Sequence, residues 1–117
     1  MGIPCPKPKF KRRVPTWGAR SEFSNRVRQQ IKDRDNDECQ MCGSHVGLQI
    51  HHVKSRGQGG RGVFTNGVLL CWKCHQNVQE HQNLIEHWQR EFEMRYGPDY
   101  FRDEFEKEAI HYEQTFN

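Results

Sequence analysis

The sequence has no long hydrophobic run and few apolar residues of any kind. Apolar types make up 33% of the 117 residues, and the mean hydropathy is -1.05. No stretch approaches the length needed to cross a bilayer, which argues against a transmembrane protein. The opening Met1–Phe10 is rich in proline and lysine and lacks the apolar centre of a signal peptide. No internal repeat or low-complexity tract is present. These absences lead to the expectation of one soluble, intracellular domain with a small core. A core this thin in so short a chain usually needs a staple. Wholesale disorder is disfavoured by three Trp, three Tyr and seven Phe.

Charge is unevenly spread. The net charge is only +3, but residues 1–20 carry six bases and no acid, whereas residues 80–117 carry four bases and ten acids. The basic front is broken by Pro4, Pro6, Pro8 and Pro15, so it reads as an extended, flexible arm. It can be a solvated tail or a phosphate-binding arm, the latter through Lys11, Arg12 and Arg13.

Apolar spacing predicts a helix over 21–35, with Phe23, Val27 and Ile31 on one face and Ser21 or Ser24 as its cap. Asn36-Asp37 ends it. A strand is expected from Val46 to Val53, with Leu48, Ile50 and His52 on one face, and a second at Val68-Leu69-Leu70. Between them lies a glycine-rich loop holding Lys54, Arg56 and Arg61. A single long helix is expected from Cys74 or His75 to about Tyr96, with Leu84, Ile85, Trp88, Phe92 and Tyr96 as its stripe. Gly97-Pro98-Asp99 stops it. Phe101, Phe105, Ala109, Tyr112 and Phe116 mark a final amphipathic helix.

Four of the five cysteines form two C-x-x-C pairs, Cys39/Cys42 and Cys71/Cys74. Each pair puts two thiolates on one tight turn, and two such turns supply a closed tetrahedral zinc site. A disulfide is disfavoured in a reducing compartment, and a redox C-x-x-C is expected singly in a βαβ setting. Zinc also contributes the folding energy that the small core lacks. Cys5 is left without a role. The pairs alone fit a zinc-binding module. Between and after them stand His51-His52, Asn66 and His75.

The string Arg34-Asp35, Cys39-x-x-Cys42-Gly43, Leu48-x-Ile50-His51-His52-Val53, Ser55, Gly59-Gly60, Asn66, Leu69-x-Cys71-x-x-Cys74-His75 resembles the HNH endonuclease family. In size and layout the chain looks most like the free-standing HNH proteins of tailed phages. The resemblance implies an α+β fold: a ββα-metal core braced by a four-cysteine zinc site, flanked by an N-terminal helix and two C-terminal helices. It implies His52 as general base and Asn66 as the residue that steadies the loop and the base. His51 and His75 would be ligands of a catalytic divalent ion (Mn²⁺, Mg²⁺, Ni²⁺ or Co²⁺), with structural Zn²⁺ on the cysteines. Many relatives have Asp where His51 stands, and some have a further histidine where Gln79 stands.

The chemistry is coherent beside the resemblance. Phosphodiester hydrolysis needs a base near neutral pKa and a cation at the scissile phosphate. Adjacent strand residues face opposite ways, so His51 and His52 suit divided duties. Lys54, Arg56 and Arg61 are candidate phosphate contacts, although such a loop can equally be a plain surface connection. The domain reading is an arm over 1–20, an HNH nuclease domain over 21–97, and an acidic helix over 98–117 packing on the core. The implied partner is DNA, with no membrane, and the phage likeness points further to DNA-packaging machinery. A cytoplasmic location in the bacterial host follows if the chain is phage-encoded. The C-terminal helices leave open a homodimer or a cover on the core. The rival reading is a catalytically inactive zinc-dependent DNA-binding module.

Overall fold

A computed structural model describes residues 16–116. Lys11, Arg12, Arg13, Cys5 and most of the expected arm lie outside these residues. The chain runs as helix α1 (Trp17–Ser21), helix α2 (Asn25–Arg34), strand β1 (Leu48–His52), strand β2 (Gly67–Cys71), helix α3 (Trp72–Glu80), helix α4 (Gln82–Tyr96) and helix α5 (Glu104–Phe116). Short 3-10 turns occupy Arg56–Gln58 and Phe64–Asn66 in the connection between the strands. This is an α+β fold.

The two strands pair antiparallel, in register from Leu48 opposite Cys71 to His52 opposite Gly67. Every residue of β2 is buried. Val68 and Leu70 face a cluster with Val53, Val78, Trp88, Phe92 and Tyr100. Leu69 faces the other way, onto Phe23 and Ile31. A strand covered on both sides reads as an unbroken apolar run, which accounts for Val68-Leu69-Leu70. β1 alternates: Leu48 and Ile50 pack toward α2, while Gln49 and His51 face α3. Gly67 is required for close approach, since a Cβ there would lie 2.5 Å from Ile31 and 2.9 Å from Ile50.

The expected first helix begins later than its apolar spacing suggests. Ser24 caps α2 by accepting the Val27 N–H at 3.2 Å, and Phe23 packs beneath the entry from outside the helix. Ser21 belongs instead to α1, where its hydroxyl donates to the Trp17 carbonyl. At the far end Asn36 and Asp37 take left-handed conformations, with φ of 58° and 50°. Arg34 and Asp35 lock this end to the sheet. Arg34 donates to the carbonyls of Phe64 and Gly67, and Asp35 accepts the buried Leu69 N–H at 3.0 Å.

The single long helix expected up to Tyr96 is two helices. His81 is extended, with φ -127° and ψ 107°, and its Nδ1 pairs with the Asn77 carbonyl at 2.8 Å. That side-chain bond competes with the helical ladder. The break lets α4 lay Trp88 and Phe92 into the core independently of α3. The final helix starts at Glu104, so Phe101 lies before it and packs on the core from a turn. Asp103 and Glu106 form a reciprocal capping box: Asp103 Oδ1 accepts the Glu106 N–H at 3.0 Å, and Glu106 Oε1 accepts the Asp103 N–H at 3.2 Å.

Candidate active site and metal centre

The first C-x-x-C sits in the turn after α2, closed by Gly43 in a left-handed conformation with φ 78°. The second spans the end of β2 and the first turn of α3, and the Gln40 N–H donates to the Leu69 carbonyl at 3.0 Å, which holds the first turn against β2. The four sulfur ligand atoms lie within 4.8 Å of one another. Cys42 and Cys71 Sγ are 3.6 Å apart. Tetrahedral coordination with bonds near 2.3 Å requires about 3.8 Å between sulfurs, so the set is compatible with zinc. The Met41 and Cys42 N–H groups point at the Cys39 sulfur, at 3.4 and 3.5 Å. Burial raises the Cys39 thiol, but the backbone N–H groups of Cys71, Cys42 and Met41 outweigh it and bring it down to about 6. A thiolate is thereby favoured at the ligand position.

A cleft of about 430 Å³ opens where β1 ends and α3 begins, lined by His51, His52, Ser55, Arg56, His75 and Gln79, with Ile50, Val53 and Ile85 as its apolar wall. His51 is buried and its Nε2 has no hydrogen-bond partner. Its ring meets that of His75 edge-on, with centroids 5.2 Å apart. Burial, then repulsion from His75 and His52, lowers the His51 pKa to about 4. Burial likewise lowers His75. Both rings are therefore neutral at pH 7, the form that binds metals. An orphaned buried nitrogen beside a second neutral imidazole fits a divalent ion in this corner. No carboxylate lines the cleft among the described residues.

His52 turns to the opposite face of β1 and stacks on Phe23, with centroids 4.3 Å apart. Because the strand ends there, it still borders the cleft. Its Nε2 lies 2.6 Å from the Ser21 carbonyl oxygen. A carbonyl can only accept, so Nε2 carries the proton and Nδ1 holds the lone pair. Burial lowers its pKa, partly opposed by the Ser21 bond and reinforced by Arg56 and Arg28. Among the described residues, the only group of three or more ligand atoms close enough for one ion is the four-cysteine cluster. The three histidines thus do not grip a single ion together.

Asn66 is fully buried and is not among the residues lining the cleft. Its Oδ1 accepts the Lys54 N–H at 2.8 Å, and its Nδ2 donates to the carbonyls of Lys54 and Arg61 at 3.1 and 2.9 Å. It ties the two ends of the inter-strand loop together directly beside His52. Arg56 is exposed at the cleft, and the Lys54 ammonium lies 5.2 Å from the Phe101 ring centroid. Arg61, the third candidate phosphate contact, is buried, bonded to Glu106 at 3.0 Å and stacked on Trp17 at 3.7 Å.

Three contributors were missed from sequence. The Ser21 carbonyl is a backbone group and carries no residue signal. Gln49 is two residues from His51 and shares its face of β1, a relation visible in the alternation. Arg20 pairs with Asp103 through both carboxylate oxygens, at 2.6 and 3.0 Å. The Asp103-x-x-Glu106 box was the available sign of that anchor.

Residues 39–81 match the HNH endonuclease family. Over that stretch, about a third of its length, the chain is similar to HNH endonucleases. No curated protein matches the chain. Among the described residues no helix is long and apolar enough to cross a membrane.

Proposed function

We propose that the protein is a divalent-metal-dependent DNA endonuclease that hydrolyses phosphodiester bonds to leave 5′-phosphate and 3′-hydroxyl ends. The observation that carries this reading is the unpartnered buried Nε2 of His51 beside His75, in the same cleft as an oriented His52. A bare DNA-binding module has no need of either feature. His51 and His75 would hold the ion, which supplies positive charge at the scissile phosphate and the leaving oxygen. His52 accepts a proton at Nδ1 from the attacking water, while its Nε2–H stays on the Ser21 carbonyl and fixes the ring. Asn66 holds the loop that borders His52 and presents Lys54 and Arg56 toward the nucleic acid backbone. Cys39, Cys42, Cys71 and Cys74 would hold a structural zinc. Phage origin and a packaging role rest on the resemblance of the sequence alone.

The test is conversion of supercoiled plasmid by the full chain, with and without added Mn²⁺ or Mg²⁺. Cleavage should require the added ion. His52→Ala should lower the rate at least about 100-fold, since a positioned base contributes roughly 10²–10⁴-fold. Its DNA affinity should be unchanged, because the base acts only in the transition state. Salt-sensitive DNA binding without any cleavage would instead support the inactive binding module.

A further inference from the structure

We propose that Gln49 is a positioning residue for His75: its side-chain carbonyl selects the imidazole tautomer that leaves Nε2 free as a metal ligand. The inference rests on the reading of His51 and His75 as the pair that holds the divalent ion. Gln49 Oε1 lies 2.7 Å from His75 Nδ1. An amide oxygen has no hydrogen to give, so Nδ1 must be the protonated nitrogen. An imidazole that binds a metal is neutral and carries one N–H. The lone pair then resides on Nε2.

The backbone makes this contact specific. Gln49 and His51 are two apart on β1, so both side chains rise on the face covered by α3. His75 lies in the first turns of α3, which follows β2 without a linker. The register that sets Gln49 opposite Leu70 therefore brings its amide to the same ring that His51 meets edge-on. One strand thus supplies a ligand and the orienter of the other ligand. Such outer partners are commonly worth 10–100-fold in metal affinity. The residue type is informative: a leucine at 49 would fit the strand but leave His75 free to carry its proton on either nitrogen.

The experiment is calorimetric titration of Ni²⁺ into the zinc-loaded full chain, without DNA, for wild type, Gln49→Leu, Gln49→Glu and His75→Ala. Nitrogen-15 spectra of the histidines, recorded without added Ni²⁺, report the tautomer independently of activity. Gln49→Leu should bind Ni²⁺ roughly 10–100-fold more weakly and show His75 as a mixture of tautomers. Gln49→Glu, which can only accept, should restore both the affinity and the single tautomer. The two Gln49 variants should melt with the wild type, since Gln49 is exposed. Wild-type affinity in Gln49→Leu, with binding lost in His75→Ala, would overturn this inference and leave the metal pair standing. Protonation of His75 at Nε2 in the wild type would overturn it as well. Unchanged affinity in His75→Ala would overturn the metal-site reading, and the role of Gln49 with it.

Discussion

Replacing Asn66 by alanine separates a structural role from a chemical one. The side chain makes three hydrogen bonds to backbone groups of the inter-strand loop, two to Lys54 and one to Arg61. Alanine leaves those groups without their partner in a site with no exposure to solvent. At about 1 kcal/mol net for each bond, the loss is about 3 kcal/mol, and more where the stranded groups stay dry. For a chain of this size that lowers Tm by roughly 10 °C. Gly60→Ala offers a second way to break the same tie, because its Cβ would fall 1.7 Å from the Lys54 carbonyl oxygen and 2.9 Å from Asn66 Nδ2. Both variants should unfold earlier in urea. Both should also lose cleavage through disorder of the loop beside His52, despite Gly60 carrying no functional group. The assays are a urea melt and plasmid cleavage at matched folded fraction. If Asn66→Ala keeps the wild-type urea midpoint while cleavage disappears, and Gly60→Ala stays active, Asn66 acts on the reacting atoms and the loop-tie argument is refuted.

Cys71→Ser opens the four-thiolate set and should give sub-stoichiometric zinc by elemental analysis with a lower Tm; full zinc and unchanged melting would show that the cysteines are not the site. His51→Asp should move the metal preference of cleavage toward Mg²⁺, because two imidazoles favour Mn²⁺, Ni²⁺ or Co²⁺ whereas a carboxylate supplies a hard oxygen. An identical metal order in the two proteins would remove His51 from the coordination sphere. Asp103→Asn should destabilise the protein by about 1–3 kcal/mol, since it weakens a bidentate charged contact to Arg20 and the cap of α5. Limited proteolysis should then cut the C-terminal segment sooner, and equal cleavage kinetics for both proteins would refute the anchor.

Much of this site is legible in the residues themselves because its parts are local. A C-x-x-C fixes its own turn, and alternation along five residues of β1 suffices to send His51 and His52 to different faces. The division of their surroundings follows from that alone: one ring meets His75, the other Phe23 and the Ser21 carbonyl. What was not legible depends on partners far along the chain. Arg61 sits among glycines and looks solvated until Glu106 and Trp17 close on it. The break at His81 escapes periodicity because the apolar stripe resumes at Leu84, while the interruption lies in the extended backbone of His81 and its bond to the Asn77 carbonyl. Of the two caps the sequence offered, Ser21 and Ser24, the helix uses Ser24, and Phe23 belongs to the same apolar spacing while lying outside the helix it staples.

The segments outside the matched stretch bear on the chemistry as much as those inside it. The Nε2–H of His52 donates to the carbonyl of Ser21, eighteen residues before Cys39. Ser21 is buried and ends a helix of five residues, too short to hold its own position in water. Its neighbour Arg20 supplies the missing constraint from both directions: the guanidinium grips Asp103, and its carbonyl accepts the Gly62 N–H at 2.9 Å. Gly62 can come that close only without a side chain, since a Cβ there would lie 2.1 Å from the Glu22 carbonyl oxygen. Arg61, one residue earlier, is clamped to Glu106 in the same capping box that Asp103 opens. The loop that carries Arg56, the helix that carries Ser21 and the start of α5 therefore close on one another through two arginines and two carboxylates. Arg61 ties α1 to the start of α5 through Trp17 and Glu106, and the acidic C-terminal segment, through Asp103 and its bond to Arg20, braces the helix whose Ser21 carbonyl bonds His52.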